Sequence, residues 1–469
     1  MKMFRNGQWQ SAKQSLEIQN PFDQSVVDSV PAATATDIEL AVDGLVGGAD
    51  SIKQLPAWKR AEILSRAAKS LRKQRSRLAE QISKEEGKPL RESLAEVDRS
   101  ATTLTLSAEQ ARQLGGEVIP LDATPGGEGK LGFTMRIPCG VVAAITPFNF
   151  PLNLVCHKLG PAIAAGNSVL LKPASDTPLS ALSLVEVLLQ SGLPEDAIAC
   201  VTGSGSRLGA AICQDDRIRK ISFTGSAAVG KQICTLAGLK RITMELGSNC
   251  PLIILPDADL EKAVSATISN GFANAGQVCI SAQRIVTLPD THEELVAKME
   301  SELNRIVVGN PLDEGVAMGP MVRSSDAQRV ESWISEANST GANVILKGQR
   351  DRAFHPPTII DHATTEMKVV TEELFGPAVA IIEADNIDEA IRMANDSRFG
   401  LSAGVFTENI DHALRFARQI ESGNVHINWG PQWRADGMPY GGLKDSGFGK
   451  EGPQYAIQEM TETKLVVFH

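Results

Sequence analysis

The chain has 469 residues, more than a single hydrophobic core usually serves, so at least two domains are expected. Apolar residues make up 42% and charged residues 22%, ordinary globular usage that excludes a disordered or membrane-spanning chain. A net charge of −10, spread without a basic stripe, argues against nucleic acid and for a small-molecule partner.

Residues Met1 to Trp9 lack the apolar centre of an export signal, which predicts a cytoplasmic protein. From Ala61 to Glu86, Ile63, Leu64, Ala67, Leu71, Leu78 and Ile82 recur at helical spacing and predict one or two amphipathic helices ending near Gly87-Lys88-Pro89. Gly116 to Pro120 and Leu131 to Pro138 flank a glycine-rich stretch and predict a projecting β-hairpin. Strand and helix signals then alternate: Val141 to Ile145, Leu154 to Ala165, Ser168 to Lys172, Leu179 to Gln190, Ile198 to Val201 and Ile221 to Thr224. That alternation is the pattern of a doubly wound parallel sheet of the dinucleotide-binding type. A second α/β series runs from about Pro251 to Asn428.

Seven scattered cysteines form no Cys-x-x-Cys pair and have no histidine nearby at metal spacing, so neither a zinc site nor a disulfide framework is expected. An isolated cysteine is by default a small buried hydrophobe. Only Cys279, on the glycine-containing turn Asn274-Ala-Gly-Gln-Val-Cys-Ile-Ser281, has a setting that could present a thiol to a cleft, and thiolates attack carbonyl carbon.

Four further segments carry chemistry. Gly225-Ser-Ala-Ala-Val-Gly230 follows a strand and opens a helix, where close backbone approach and free N–H groups suit a pyrophosphate. Its spacing is not Gly-x-Gly-x-x-Gly, and Gly203-Ser-Gly205-Ser-Arg-Leu-Gly209 misses that pattern by one residue, so alone each fits an ordinary turn as well. Glu245, at an apolar strand end, suits a general base with a raised pKa, although a solvated or satisfied glutamate is the commoner outcome. Asn149, between prolines and phenylalanines, offers a rigid amide donor to an oxyanion, or is simply a turn residue. Glu373 and Phe375, in Glu372-Glu-Leu-Phe-Gly-Pro377, pair a ribose-binding carboxylate with a ring that can lie against a flat cofactor.

Together and in this order, these segments resemble the aldehyde dehydrogenase superfamily over nearly the whole chain, to Pro439-Tyr-Gly-Gly-Leu-Lys-Asp-Ser-Gly447. The resemblance implies a Rossmann-like cofactor domain (1–119 and 142–246), an α/β catalytic domain (247–454) and a β-hairpin oligomerisation arm (120–141 and 455–469), assembling as a homodimer or homotetramer. Thr463 to Phe468 suits edge-strand pairing in such an assembly. It makes Cys279 the nucleophile, Glu245 the general base of thioester hydrolysis and Asn149 an oxyanion donor. Lys172 and Glu373 would hold the two riboses, Gly225 and Ser226 the pyrophosphate and Phe375 the nicotinamide side, with Ile145, Pro147, Ser175, Gly205, Phe223 and Gly230 completing the NAD or NADP site. Neutral Ser175 stands where NAD-preferring relatives often carry glutamate, which favours NADP.

His157, Val278, Ile280 and Arg434 are the implied substrate contacts. His157 and Arg434, both potentially cationic, point to a small anionic or hydroxylated aldehyde, in the range of succinic semialdehyde, lactaldehyde and non-phosphorylating glyceraldehyde-3-phosphate dehydrogenases. Succinic semialdehyde enzymes typically carry arginines where this chain has His157 and Ala273, which weakens that substrate. Arg434 could instead pair with Asp436 or lie exposed past Trp433. A non-catalytic protein on the same scaffold would have no need of Cys279, Glu245 and Asn149 together, and a cofactor-free thiol esterase would leave Lys172, Glu373 and Phe375 without a purpose.

Overall fold

The computed structural model describes residues 1–346 and 348–469. Short apolar runs such as Val141–Ile145 and Ser168–Lys172 are buried along their whole length, as strands covered on both faces must be. They lie in an eight-stranded sheet ordered Gln8–Gln10, Met3–Arg5, Ile198–Cys200, Ser168–Lys172, Val141–Ile145, Ile218–Thr224, Arg241–Glu245, Gly447–Phe448. The five strands from Ile198–Cys200 to Arg241–Glu245 are parallel. Chain order reverses between Val141–Ile145 and Ile218–Thr224, and a doubly wound sheet opens its crevice at such a point, beyond the carboxyl ends of the strands. The closing strand Gly447–Phe448 shows that the chain returns to this sheet after completing the second one.

The periodic run from Ala61 to Glu86 splits at Gln74 into helices Ala57–Lys73 and Arg75–Glu86, the second ended by Gly87 at φ 89°. Their apolar faces and helix Leu90–Gln113 enclose Asn153–Ala165, a helix buried on every side. The residue that begins that helix, Leu152, offers no side-chain cap. Glu96 supplies one, its Oε1 accepting the backbone N–H of Leu152 at 2.9 Å and of Asn153 at 3.1 Å. Glu85 does the same for helix Leu179–Gln190, accepting the N–H groups of Leu179 and Ser180 at 2.7 and 2.9 Å.

The second sheet has seven strands in the order Asn343–Leu346, Thr358–Asp361, Ala378–Glu383, Arg284–Thr287, Pro251–Ile254, Ser402–Phe406, Asn424–Ile427, all parallel except the first. Apart from both lies a three-stranded antiparallel sheet in which Leu131–Pro138 pairs with Val118–Ile119 and with the chain's last strand, Thr461–Phe468. Leu131, Met135, Leu465 and Phe468 are exposed on it. Among the described residues no helix is long and apolar enough to cross a membrane.

Helix Ala35–Gln54 offers a paired test of this packing. A Cβ at Gly48 would overlap the Asp196 carbonyl, whereas one at Gly47 would meet nothing within 4 Å. Gly48→Ala is therefore expected to destabilise by about 2 kcal/mol and Gly47→Ala to stabilise by about 0.5–1 kcal/mol. Thermal unfolding of both variants checks this, and equal shifts would contradict it.

Candidate active site

The two sheets meet end on. Carboxyl ends of the first bring Pro147 and Asn149, Lys172, Gly225 and Ser226, and Glu245 to one edge. Segments at the amino ends of the second bring Cys279, before strand Arg284–Thr287, and Glu373 and Phe375, before strand Ala378–Glu383. Pro147, Asn149, Gly225, Ser226, Glu245, Cys279, Glu373 and Phe375 line one cavity of about 600 Å³. Cys279 also lines an outer cavity of about 330 Å³ on its far side, with Val278, Ile280 and Arg434. The thiol therefore stands where two spaces join.

The Cys279 loop is tightly wound. Asn274, Ala275 and Gly276 take φ of 48°, 52° and 70° in succession, and a Cβ at Gly276 would overlap the Gly376 carbonyl. Left-handed backbone is costly for residues with a Cβ and persists only where the surroundings hold it. Here Asn274 Nδ2 donates to Glu86 at 2.7 Å and its backbone N–H to Glu92 at 3.1 Å. The half-buried Cys279 Sγ lies 3.0 Å from the Tyr440 hydroxyl. Burial pushes its thiol up to about 12, against the opposing effect of that hydroxyl.

Asn149 is fixed through both its backbone and its side chain. Its carbonyl accepts from the buried Lys88 ammonium at 2.6 Å, and Lys88 is itself paired with Glu96 at 2.6 Å. Its Nδ2 donates one hydrogen to the Gln277 carbonyl at 2.8 Å, which leaves the second available beside Cys279. Both carboxylate oxygens of Glu245 are buried without a hydrogen-bond partner, and burial together with the Glu451 charge raises its pKa well above the carboxylate range. Gly441 makes room for it: a Cβ there would come within 2.7 Å of Glu245 Oε1.

Ser226 caps helix Ala227–Leu236, its Oγ accepting from Val229 N–H, and the helix start faces the inner cavity. Beneath it, a Cβ at Gly225 would come within 2.6 Å of the Phe223 ring, and one at Gly230 within 2.6 Å of Leu246. Ile145 and Phe223 belong to the buried core, and Gly230 packs on Leu246; none of the three is among the residues that line the cavity. Glu373 accepts the Ser248 N–H at 3.0 Å and lies so close to Gly247 that a Cβ there would overlap its carboxylate. Phe375, at φ 48°, meets Phe148 edge to face with centroids 5.9 Å apart. Farther along the strand edge, Lys172 Nζ lies 3.7 Å from the position of a Cβ on Gly205, at the start of helix Gly205–Gln214. Burial lowers that ammonium to about 8. Ser175 donates to the Gly203 carbonyl at 2.9 Å. This run of backbone donors, close-approach glycines and unpartnered buried oxygens, Thr224 Oγ1 among them, fits a dinucleotide.

Residues 9–466 match the aldehyde dehydrogenase family. The chain belongs to that family. It is 45% identical over 468 residues to a 3-sulfolactaldehyde dehydrogenase of Priestia megaterium, covering 100% of this chain and 98% of the relative. It is 39% identical to a lactaldehyde dehydrogenase of Methanococcus vannielii, with 100% of each covered. A glyceraldehyde-3-phosphate dehydrogenase of Methanocaldococcus jannaschii, solved with NADP, superposes at a TM-score of 0.93 with 36% identity, covering 97% of this chain and 98% of that one.

In this aldehyde dehydrogenase the outer cavity corrects part of the sequence reading. His157 does not reach the wall. Its imidazole is buried behind Arg434, with Nδ1 3.2 Å from Arg434 and Nε2 3.1 Å from Asp436, and burial and the Arg434 charge lower it to about 4, so it is neutral. Asp436 pairs with Arg99 at 2.9 Å and not with Arg434. Arg434 is not an exposed loop residue; it lies 3.9 Å from the Tyr440 ring centre and 3.1 Å from Glu451. Trp433 beside it is the exposed one. Glu451 also holds the buried Lys158 at 2.9 Å, and these two cations keep its carboxyl far below the usual range although burial opposes them.

Sequence reasoning missed Tyr440, Glu451, Lys158 and the helix Leu90–Gln113, whose face lines the outer cavity with Arg91, Ala95 and Arg99. The spacing of Arg91, Ala95 and Arg99, one helical turn between each, was the available signal.

Proposed function

We propose that this enzyme oxidises a small anionic, hydroxylated aldehyde to its carboxylic acid, with Cys279 as nucleophile, Glu245 as base and Asn149 as oxyanion donor. The observation that carries the reading is the position of the Cys279 thiol at the junction of the two cavities, with Asn149 and Glu245 lining one of them beside it. Cys279 loses its thiol proton to solvent as its sulfur bonds to the aldehyde carbon, and the oxyanion is held by the second N–H of Asn149. When bound in the inner cavity, the dinucleotide supplies the hydride acceptor. The thioester left on Cys279 is cleaved by a water that Glu245 deprotonates; the carbon–sulfur bond breaks and the acid leaves. Residues 1–119 and 142–246 form the cofactor unit in this reading and 247–454 the catalytic unit. The arm 120–141 with 455–469 carries the exposed apolar side chains that a homodimer or homotetramer would cover. A cytoplasmic location accords with the reading. Cys279→Ala is expected to abolish turnover, and Glu245→Gln to leave at most one burst of reduced cofactor, followed by absorbance. Near-normal turnover by Cys279→Ala would remove the assignment.

We infer that NADP is used at least as well as NAD. Ser175 is neutral, and Lys172 at the start of helix Gly205–Gln214, near Ser204 and Ser206, gives a setting that tolerates a 2′-phosphate. Ser175→Glu is expected to move the NADP to NAD ratio of kcat/KM towards NAD; an unchanged ratio would contradict the inference.

For the substrate, the outer cavity carries Arg91, Arg99 and Arg434, and Arg434 Nε is a buried donor with no partner. Burial opposes its charge, but Glu451 and the neighbouring Tyr440, Glu245 and Asp436 together outweigh it. An anionic or hydroxyl oxygen of the aldehyde would satisfy that donor, and the names of the sulfolactaldehyde and lactaldehyde dehydrogenases above support this class. Arg434→Ala, compared on sulfolactaldehyde and a neutral aldehyde of equal length, is expected to lose kcat/KM selectively on the anion by about 2 kcal/mol, roughly thirtyfold. Equal losses would remove charge recognition and leave the dehydrogenase reading intact.

A further inference from the structure

The carboxyl ends of the second sheet gather metal-binding side chains that the oxidation does not use. Asp361 ends strand Thr358–Asp361 and His362 follows it; Glu383 ends strand Ala378–Glu383; His292 lies in the first turns of helix Pro289–Leu303. Cys279, Glu373 and Phe375 stand at the amino ends of these strands, so the length of the sheet, roughly 20 Å for a six-residue strand, separates the two places.

His292 Nε2 lies 2.9 Å from Asp361 Oδ1, and His362 Nε2 lies 3.6 Å from Asp361 Oδ2. The two imidazoles stack with centroids 5.0 Å apart and planes at 19°, and one donor atom from each of the three residues falls within 4.8 Å of the others. The His292 side chain is 5% exposed and that of Asp361 6%, yet neither ring nitrogen of His292 makes a hydrogen bond. Buried polar atoms in this state are uncommon and point to something unrepresented between them. A lone pair on Nε2 facing a carboxylate oxygen at 2.9 Å is repulsive, and a cation that accepts from both removes the repulsion. On the other side of the ring, Glu383 Oε2 stands 3.6 Å from Nδ1, placed to favour the tautomer with its proton on Nδ1 and its lone pair on Nε2. Asp361 Oδ1 accepts the His362 N–H at 2.8 Å, which fixes the carboxylate.

We propose that His292 Nε2, His362 Nε2 and Asp361 bind a zinc-class transition ion, with water completing the coordination on the exposed side of His362. Two imidazoles and one carboxylate suit zinc and its neighbours, whereas magnesium and calcium prefer all-oxygen sites. The ion would tie helix Pro289–Leu303 to the end of strand Thr358–Asp361, far from the thiol, and so act on stability and not on the chemistry. This departs from the expectation of no metal site, because the fold brings together residues that sit far apart in the chain.

Cys279 is itself a thiol that can take zinc, so the test uses the full-length Cys279→Ser protein, stripped with chelator and titrated with Zn²⁺ by calorimetry. One equivalent is expected to bind with micromolar Kd or tighter, with a rise in Tm. His362→Asn changes an exposed side chain at a left-handed position that asparagine tolerates, so it should keep the metal-free Tm while weakening binding at least about tenfold. His292→Gln should weaken binding likewise. Saturable binding that both variants retain, or no saturable binding by Cys279→Ser, would overturn the proposal.

Discussion

The position of the reactive thiol depends on a backbone conformation that its own residues would not choose. Asn274 and Ala275 are left-handed and carry side chains, at roughly 1–2 kcal/mol each, and Gly276 continues the same turn. What offsets this lies elsewhere in the chain. Glu86 and Glu92 hold Asn274, Gln277 Oε1 accepts the Val322 N–H at 3.0 Å, and the Gln277 carbonyl accepts from Asn149. Asn149 and Cys279 are therefore parts of one hydrogen-bonded unit. A residue proposed to hold the oxyanion and a residue proposed to create it cannot drift apart without breaking a buried bond, and such preorganisation is where electrostatic stabilisation gains most of its effect.

The N-terminal helices underlie that unit. In Glu85-Glu86-Gly87-Lys88-Pro89, Glu85 caps helix Leu179–Gln190, Glu86 holds the cysteine loop and Lys88 holds Asn149, while Glu96 caps the helix that follows Asn149. Each charge is buried and would be costly alone. Burial raises Glu85 to about 7 and raises Glu86 well above its usual range, while the N–H and hydroxyl groups that donate to Glu85 and the Asn274 amide that donates to Glu86 oppose the rise. Their value is positional, and removing one partner strands another in a dry interior.

Much of the architecture was legible because it follows from periodicity. Val141–Ile145, Ser168–Lys172 and Leu179–Gln190 are apolar runs whose length and flanking residues decide their type, and they fall where the sequence places them. The glycines at 225 and 230, read as a pyrophosphate turn, also have a steric reason that the sequence does not display: one lies against Phe223 and the other against Leu246. The network around Arg434 was not. Its true partner, Glu451, is a surface-type residue in the sequence, and only tertiary folding puts it beside Lys158 in place of Asp436. His157 misled for the same reason: its alignment position suggested the pocket, but the helix that carries it is buried on every side. Segments read by local pattern converge on one cavity, whereas pairings made by partners from distant segments leave no local pattern to read.

The acid–base setting of the site follows from dryness. Burial raises both the Cys279 thiol and the Glu245 carboxyl, so each holds its proton more tightly than it would in water. The cations nearby limit the shift at Glu245 without pairing with it: Arg434 and Lys158 are bound to Glu451, and Lys450 donates to the Gly441 carbonyl. Glu451 thus has a double effect. As a neighbouring negative charge it raises the proton affinity of Glu245, and as the partner of Arg434 and Lys158 it keeps those ions from pairing with Glu245. A carboxylate left without partners but with a strong affinity for protons is the arrangement a general base requires, because nothing has to be broken before it takes a proton from water.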